Sequence, residues 1–141
     1  MSNLDTALSI AIQAHAGQQD KAGQPYILHP LRLMFQMETE EEMITAVLHD
    51  VVEDSPWTLD DLRQAGFSQA VVTAVAAVSR QPDESYEAFI ERLLPNPLAA
   101  KVKRADLADN MDVRRLRTMT AKDLERIEKY HRAWQVLAKR P

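Results

Sequence analysis

The sequence predicts an all-α fold, a compact bundle of seven or eight helices in a single domain spanning residues 1–141. Apolar residues recur at helical spacing through most of the chain, and no segment alternates between apolar and polar residues as a half-buried strand does. Hydrophobic residues make up 45% of the 141 positions, so a domain of ordinary size can bury a core. Cap residues, glycines and prolines then divide the chain into its elements.

Two helices separated by a loop are predicted at the start of the chain. Residues 4–16 form the first helix, and Gly17 can end it because glycine readily adopts the conformation of a helix C-cap. The second helix occupies residues 30–37, since Pro30 suits the first turn of a helix. Gly23 marks a turn in the loop that joins them.

A third helix is predicted to begin after Thr39 and to end before Pro56. Thr39 and Glu42 have the spacing of a capping box, and the residue before a proline is disfavoured in helical conformation. The remaining helices show the same kinds of start and stop signals. Their predicted ranges are about 58–65, 68–79, 83–93, 97–117 and 120–139.

The scarce residue types exclude several classes of site. The chain contains no cysteine, which excludes disulfides, thiolate zinc sites, iron–sulfur clusters and cysteine nucleophiles. Its three glycines are too scattered for a Walker loop or a dinucleotide-binding fingerprint. A bound metal would therefore need histidine and carboxylate ligands, and only four histidines are available.

Charge and hydropathy indicate which compartment and which partners to expect. The N-terminal residues lack the basic and apolar parts of a signal peptide, and no apolar run is long enough to cross a membrane. A formal net charge of -4 argues against a nucleic-acid partner. A cytoplasmic protein without membrane contact is expected. Basic residues do cluster at 101–104 and 114–117, either as solvated helix faces or as a rim that binds a phosphorylated small molecule.

The predicted third helix carries an unusual polar face. At about 100° per residue, four polar side chains fall within an arc of about 140°: His49, Asp50, Glu53 and Asp54. The opposite face is apolar. The acidic residues have no basic partner four positions away, whereas an ordinary water-facing stripe usually does. A divalent cation would relieve the repulsion between them, and a plain acidic stripe is the alternative.

Two other segments supply further candidates. His29 stands at the start of the predicted second helix. Asp106 and Asn110 are four residues apart, so they share a helical face.

With these motifs in this order, the sequence resembles the HD-domain metal-dependent phosphohydrolases. Within them it is similar to the RelA/SpoT-type hydrolases and to small single-domain alarmone hydrolases. The matching segments lie within residues 14–18, 25–30, 48–54 and 102–110, and the resemblance covers roughly residues 4–137. It implies an HD-domain helical bundle and hydrolysis of a nucleotide phosphate ester.

The resemblance also implies residue roles. The implied metal ligands are His29, His49, Asp50 and Asp106. Two imidazoles and two carboxylates suit Mn²⁺ or Fe²⁺, and such a set can also hold Zn²⁺ or Mg²⁺. The acidic pair that handles the attacking water is implied to be Glu53 and Asp54. Implied substrate contacts are Lys21, Asn110 and Tyr130, while Lys103 is either a salt-bridge partner or a phosphate contact. His15 matches a motif but is expected to pack or to support the ligands rather than to be one.

The expected substrate is (p)ppGpp, whose 3′-pyrophosphate would be removed to give GDP or GTP and pyrophosphate, with Mn²⁺ as the expected cofactor. No synthetase domain is expected in a chain of this length. Asp20, Asp109 and the pair Asp112-Val113 depart from the family pattern, and all are expected on the substrate side, away from the metal ligands. Arg114 or Arg115 can replace the positive charge that the family has at position 20. Other nucleotides such as (p)ppApp or NADPH, and an inactive metal- and nucleotide-binding regulatory protein, remain alternatives. The sequence does not predict the oligomeric state.

Overall fold

The computed structural model describes residues 3–139, and helices account for its regular elements. In order they are α1 (Leu4–Ala14), α2 (Leu28–Phe35), α3 (Glu40–Leu48), α4 (Val51–Asp54), α5 (Leu59–Gln64), α6 (Gln69–Val78), α7 (Tyr86–Leu93), α8 (Pro97–Asn110) and α9 (Ala121–Ala138). Eight of the helices in this range have six residues or more, which confirms the predicted all-α bundle. The predicted domain of residues 1–141 also includes positions 1, 2, 140 and 141, which lie outside the described residues.

Side-chain caps begin most helices where the sequence predicts them. The Thr39 hydroxyl accepts a hydrogen bond from the backbone N–H of Glu42, whose carboxylate accepts one from the N–H of Thr39 in return. Thr58 and Thr120 form equivalent capping boxes at α5 and α9. Asn96 caps α8, with Pro97 in its first turn. These bonds satisfy backbone donors that have no partner within the helix.

The predicted third helix is divided at His49 and Asp50, so the prediction of one continuous helix to residue 54 is wrong. The His49 side chain donates from Nδ1 to the carbonyl of Ala46, at 2.7 Å. In a continuous helix that carbonyl would accept from the backbone N–H of Asp50. A side chain that competes for a backbone acceptor can interrupt a helix in this way, and α4 resumes one residue after Asp50.

The other helix boundaries differ from the predicted ones by a few residues, except at the end of α8. The helix predicted to reach residue 117 ends at Asn110 and is followed by the 3₁₀ turn Val113–Arg115. The Asp112 side chain accepts from the backbone N–H of Arg114, which favours a tight turn over a continued helix. The second helix begins at Leu28, and this places His29 in its first turn.

Helix α3 lies at the centre of the fold and packs against α1, α2, α6 and α8. Val47, Leu48 and Val51 are fully buried in the larger core cluster around it. A smaller buried cluster joins α2, α3 and α8 through Leu33, Ala46 and Val102. Because the candidate ligands lie on α2 and α8 and directly after α3, the small cluster fixes the framework of the site. No helix within residues 3–139 is both long enough and apolar enough to span a bilayer.

The capping box at Thr39 should contribute measurably to stability. Replacing Thr39 with Ala removes the side-chain acceptor, and we expect the free energy of unfolding to fall by about 1 kcal/mol. Thr39→Ser keeps the hydroxyl and should lose much less. Urea denaturation followed by circular dichroism measures both variants, and equal losses would contradict this role of the hydroxyl.

Candidate metal centre and adjoining cleft

Three parts of the chain converge on one buried cluster of donors. His29 comes from α2, His49 and Asp50 come from the break after α3, and Asp106 comes from α8. His29, His49 and Asp50 can each place one donor atom within 4.8 Å of the others. Asp106 Oδ1 lies 2.8 Å from Nε2 of His29 and 3.5 Å from Nε2 of His49. The structure therefore brings together the four ligand candidates that the resemblance implied.

The break in the helix orients His49. Since the Ala46 carbonyl can only accept, the Nδ1 atom of His49 carries the proton that it donates there. Nε2 is then directed toward Asp50 Oδ2, at 2.9 Å, and toward Asp106. This nitrogen is buried but makes no hydrogen bond of acceptable geometry. A buried nitrogen without such a bond, beside two carboxylates, fits a position prepared for a cation.

The electrostatics of the cluster also fit a cation. Burial alone would lower the pKa of His29 and His49, but the neighbouring carboxylates raise it above the ordinary histidine value. Burial would raise the pKa of Asp106, but the Lys103 ammonium and the two imidazoles hold it well below its usual range. Protons on the two imidazoles compensate the charge of the neighbouring carboxylates. A divalent cation can replace those protons at the same atoms.

Lys103 and Asn110 hold the Asp106 carboxylate from its own helix. The Lys103 ammonium lies 2.8 Å from Oδ2, and the Asn110 amide donates to Oδ1 at 3.0 Å. Burial would lower the pKa of Lys103, but the Asp106 charge raises it, so the ammonium stays protonated. Of the two readings of Lys103, the structure places it as a salt-bridge partner. Lys101 on the same helix pairs with Glu38 and Glu42 instead of facing the site.

Asp109 lies behind His29, which corrects the expectation that it faces only the substrate side. Its Oδ2 accepts from His29 Nδ1 at 2.6 Å. Arg32 donates to both carboxylate oxygens, at 2.8 and 3.0 Å. Burial would raise the pKa of Asp109, but these bonds from His29 and Arg32 hold it well below its usual range. The sequence shows that position 109 differs from the family pattern. It does not show that Asp109 pairs with Arg32, because the two residues are 77 positions apart.

Two further residues adjoin the cluster. The Tyr26 hydroxyl donates to Asp50 Oδ2, a role that the sequence analysis did not assign. His15 is buried, with its ring 4.9 Å from that of Tyr26 and its Nδ1 2.9 Å from Gln18 Oε1. It does not join the group of possible ligands formed by His29, His49 and Asp50.

Glu53 and Asp54 follow the break on the short helix α4. Glu53 Oε1 accepts a hydrogen bond from the backbone N–H of Arg80. Partial burial raises the pKa of Glu53 and of Asp54, and the negative charge of Asp50 adds to the effect at both. A carboxylate with a raised pKa is a stronger base than an ordinary one, which suits proton transfer beside a metal centre.

A cleft of about 320 Å³ opens beside His29. Its walls include three of the implied substrate contacts, Lys21, Asn110 and Tyr130, but not Lys103. The complete lining is Gln19, Asp20, Lys21, Ala22, Tyr26, His29, Arg32, Asn110, Asp112, Arg115, Leu116, Arg126 and Tyr130. Arg126 precedes Tyr130 by four residues on α9, and this helical spacing is the signal that could have identified it.

The cleft is cationic, although two departures from the family pattern introduce acids. Asp20 Oδ1 accepts from the backbone N–H groups of Ala22 and Gln24, both at 2.9 Å, so this carboxylate shapes its own loop. Asp112 is paired with Arg114 and Arg115. Of those two arginines, Arg115 lines the cleft and Arg114 does not.

Comparison with known proteins adds three sets of matches. A family model described as HD domain matches residues 7–133. The bifunctional (p)ppGpp synthase/hydrolase SpoT of Escherichia coli K12 is 30% identical over 126 residues, covering 79% of this chain and 18% of the relative. A guanosine-3′,5′-bis(diphosphate) 3′-pyrophosphohydrolase of Vibrio cholerae is 40% identical over 75 residues, which are 50% of this chain and 10% of the relative.

The solved structure of a metazoan orthologue of SpoT, described as hydrolysing ppGpp, matches with a TM-score of 0.79 at 20% identity. That match covers 99% of this chain and 86% of the other, and it supports the fold. The chain spans less than a fifth of the length of the two curated relatives named above.

The metal centre predicts a cation-dependent gain in stability. Mn²⁺ at about 100 times its dissociation constant should stabilise the folded protein by about 2.7 kcal/mol, because it binds the folded state. Asp106→Asn should remove most of this gain, which a thermal melt with and without Mn²⁺ measures. Asp60→Asn, at an exposed pair with Arg63, is the control and should behave as the wild type. An equal Mn²⁺ effect in all three proteins would show that the cation binds elsewhere.

Proposed function

The chain belongs to the HD domain family, and we propose that it is a Mn²⁺-dependent phosphohydrolase that removes the 3′-pyrophosphate of (p)ppGpp. The observation that carries this proposal is the buried cluster of His29, His49, Asp50 and Asp106 beside a cationic cleft. The names of the curated relatives favour this nucleotide among the phosphate esters that such a site could hydrolyse.

The four clustered residues would hold the cation. When bound, it would lower the pKa of a coordinated water and neutralise negative charge on the phosphate. The chain's own residues prepare that position. Lys103 and Asn110 restrain Asp106, Tyr26 restrains Asp50, and the Ala46 carbonyl sets the orientation of His49.

Glu53 and Asp54 are the candidates for moving the proton of the attacking water. Both lie on α4, one turn or less beyond Asp50, and burial raises the pKa of each. The backbone N–H of Arg80 restrains Glu53 and leaves Asp54 as the second acid of the pair. We assign the base to Glu53 because its carboxylate is held in place.

Side-chain charge is well suited to bind the phosphates. Four cations line the cleft, Lys21, Arg32, Arg115 and Arg126, against the two acids Asp20 and Asp112. Both acids are bonded to groups of their own loops, so they hold the wall together. Burial lowers the pKa of Lys21, and nearby Arg126 lowers it further, as expected where cations converge on a position for an anion. Asn110 and Tyr130 complete the wall and can contact the nucleoside.

The substrate assignment predicts a preference within a nucleotide panel. With Mn²⁺, ppGpp should release pyrophosphate with a higher kcat/KM than ppApp, and NADPH should release phosphate more slowly or not at all. Chromatography of the products measures all three. A clear preference for ppApp or NADPH would keep the phosphohydrolase and change its substrate. Tight nucleotide binding without any product would instead indicate the regulatory alternative.

The role of Glu53 predicts a loss of kcat without a loss of metal. Glu53→Gln keeps the size of the side chain but removes the base, and kcat should fall by about 10²-fold to 10⁴-fold. Mn²⁺ binding, measured by calorimetry, should remain close to that of the wild type. Glu91→Gln, at an exposed position on α7, is the matched control. If Glu53→Gln keeps full turnover, the base is another group.

A further inference from the structure

We propose that Asp109 is a positioning residue that fixes His29 for metal binding and joins this ligand to two arginines of the cleft. The inference rests on the metal centre of the proposed function, but not on the identity of the nucleotide. The role is argued from the contacts of Asp109 in this structure.

Asp109 determines which nitrogen of His29 faces the cluster. Both oxygens of its carboxylate accept hydrogen bonds from Arg32, so the proton in the 2.6 Å contact lies on His29 Nδ1. Nε2 is then directed toward Asp106, at 2.8 Å. Both side chains are buried, with exposed fractions of 5% and 6%, so water does not offer an alternative partner. A carboxylate behind a metal-binding imidazole fixes the ring and makes the ligand nitrogen more basic.

Arginines hold Asp109 itself in one orientation. Arg32 donates from Nε and from a terminal nitrogen to the two different oxygens of the carboxylate, which fixes its plane. Arg115 donates to the backbone carbonyl of Asp109 at 2.9 Å and lies 3.5 Å from Oδ2. Two groups from α2 and one from the turn after α8 thus meet at one buried carboxylate.

The same contacts organise the wall of the cleft. The side chains of Arg32 and Arg115 are each 31% exposed and both line the cleft. Asp109 holds their guanidinium groups from the protein side, while part of each side chain is exposed to the cleft. One carboxylate therefore connects the position of a metal ligand with the position of the cationic wall.

Mn²⁺ titration followed by electron paramagnetic resonance of the free ion tests the proposal in the full chain without nucleotide. Asp109→Asn keeps an acceptor but loses the charge, and its Mn²⁺ affinity should fall by about 10-fold. Asp109→Ala loses both and should fall by up to about 100-fold. Asp60→Asn is the control, since its exposed pair with Arg63 lies outside the cluster and the cleft, and its affinity should match that of the wild type. Excess Mn²⁺ should restore kcat in Asp109→Asn, a rescue that general structural damage would not show.

The other outcomes overturn either the positioning role of Asp109 alone or the proposed function as well. Wild-type Mn²⁺ affinity in a folded Asp109→Asn variant overturns the positioning role and leaves the proposed function standing. Absence of Mn²⁺ binding by the wild type overturns both. If the Asp109 variants do not fold, Arg32→Gln replaces them, because it keeps the contact to His29 but removes the bidentate restraint. Its Mn²⁺ affinity should fall below that of the wild type by less than about 10-fold, and an unchanged affinity would overturn the proposal.

Discussion

The structure depends on bringing several charged groups together inside a small helical protein. Asp50, Asp106 and Asp109 lie next to two imidazoles that are almost fully buried. Each ion removed from water costs several kcal/mol unless close partners compensate it. Lys103 and Arg32 provide part of that compensation, and shared protons or a cation provide the rest. This requirement explains why so many polar contacts in the fold converge on one place.

The arrangement of the helices brings the buried charges and their partners together. The small apolar cluster of Leu33, Ala46 and Val102 holds α2, α3 and α8 together directly beside the donors. The break at His49 and Asp50 then directs two adjacent residues into the same cluster, which a continuous helix would separate by about 100°. The His49 side chain has two effects. It interrupts the helix, and it places a buried nitrogen beside the neighbouring carboxylates.

The sequence predicted the all-α class, most of the caps and the residues that converge, because those depend on local patterns and on motif order. It did not predict the division of the third helix, since the competition between the His49 side chain and a backbone N–H has no clear sequence signal. Asp109 was visible as a departure, but its partners could not be identified, because Arg32 and Arg115 meet it only in the folded chain. Arg126 was not predicted, although its helical spacing to Tyr130 places both residues at the cleft.

A crystal structure of the protein with Mn²⁺, with anomalous scattering used to locate the ion, tests the central claim most directly. We expect one strong anomalous peak within bonding distance of His29, His49, Asp50 and Asp106, with Asp109 still bonded to the far nitrogen of His29. A peak at another place, or a cluster that keeps its internal hydrogen bonds in excess Mn²⁺, would contradict it.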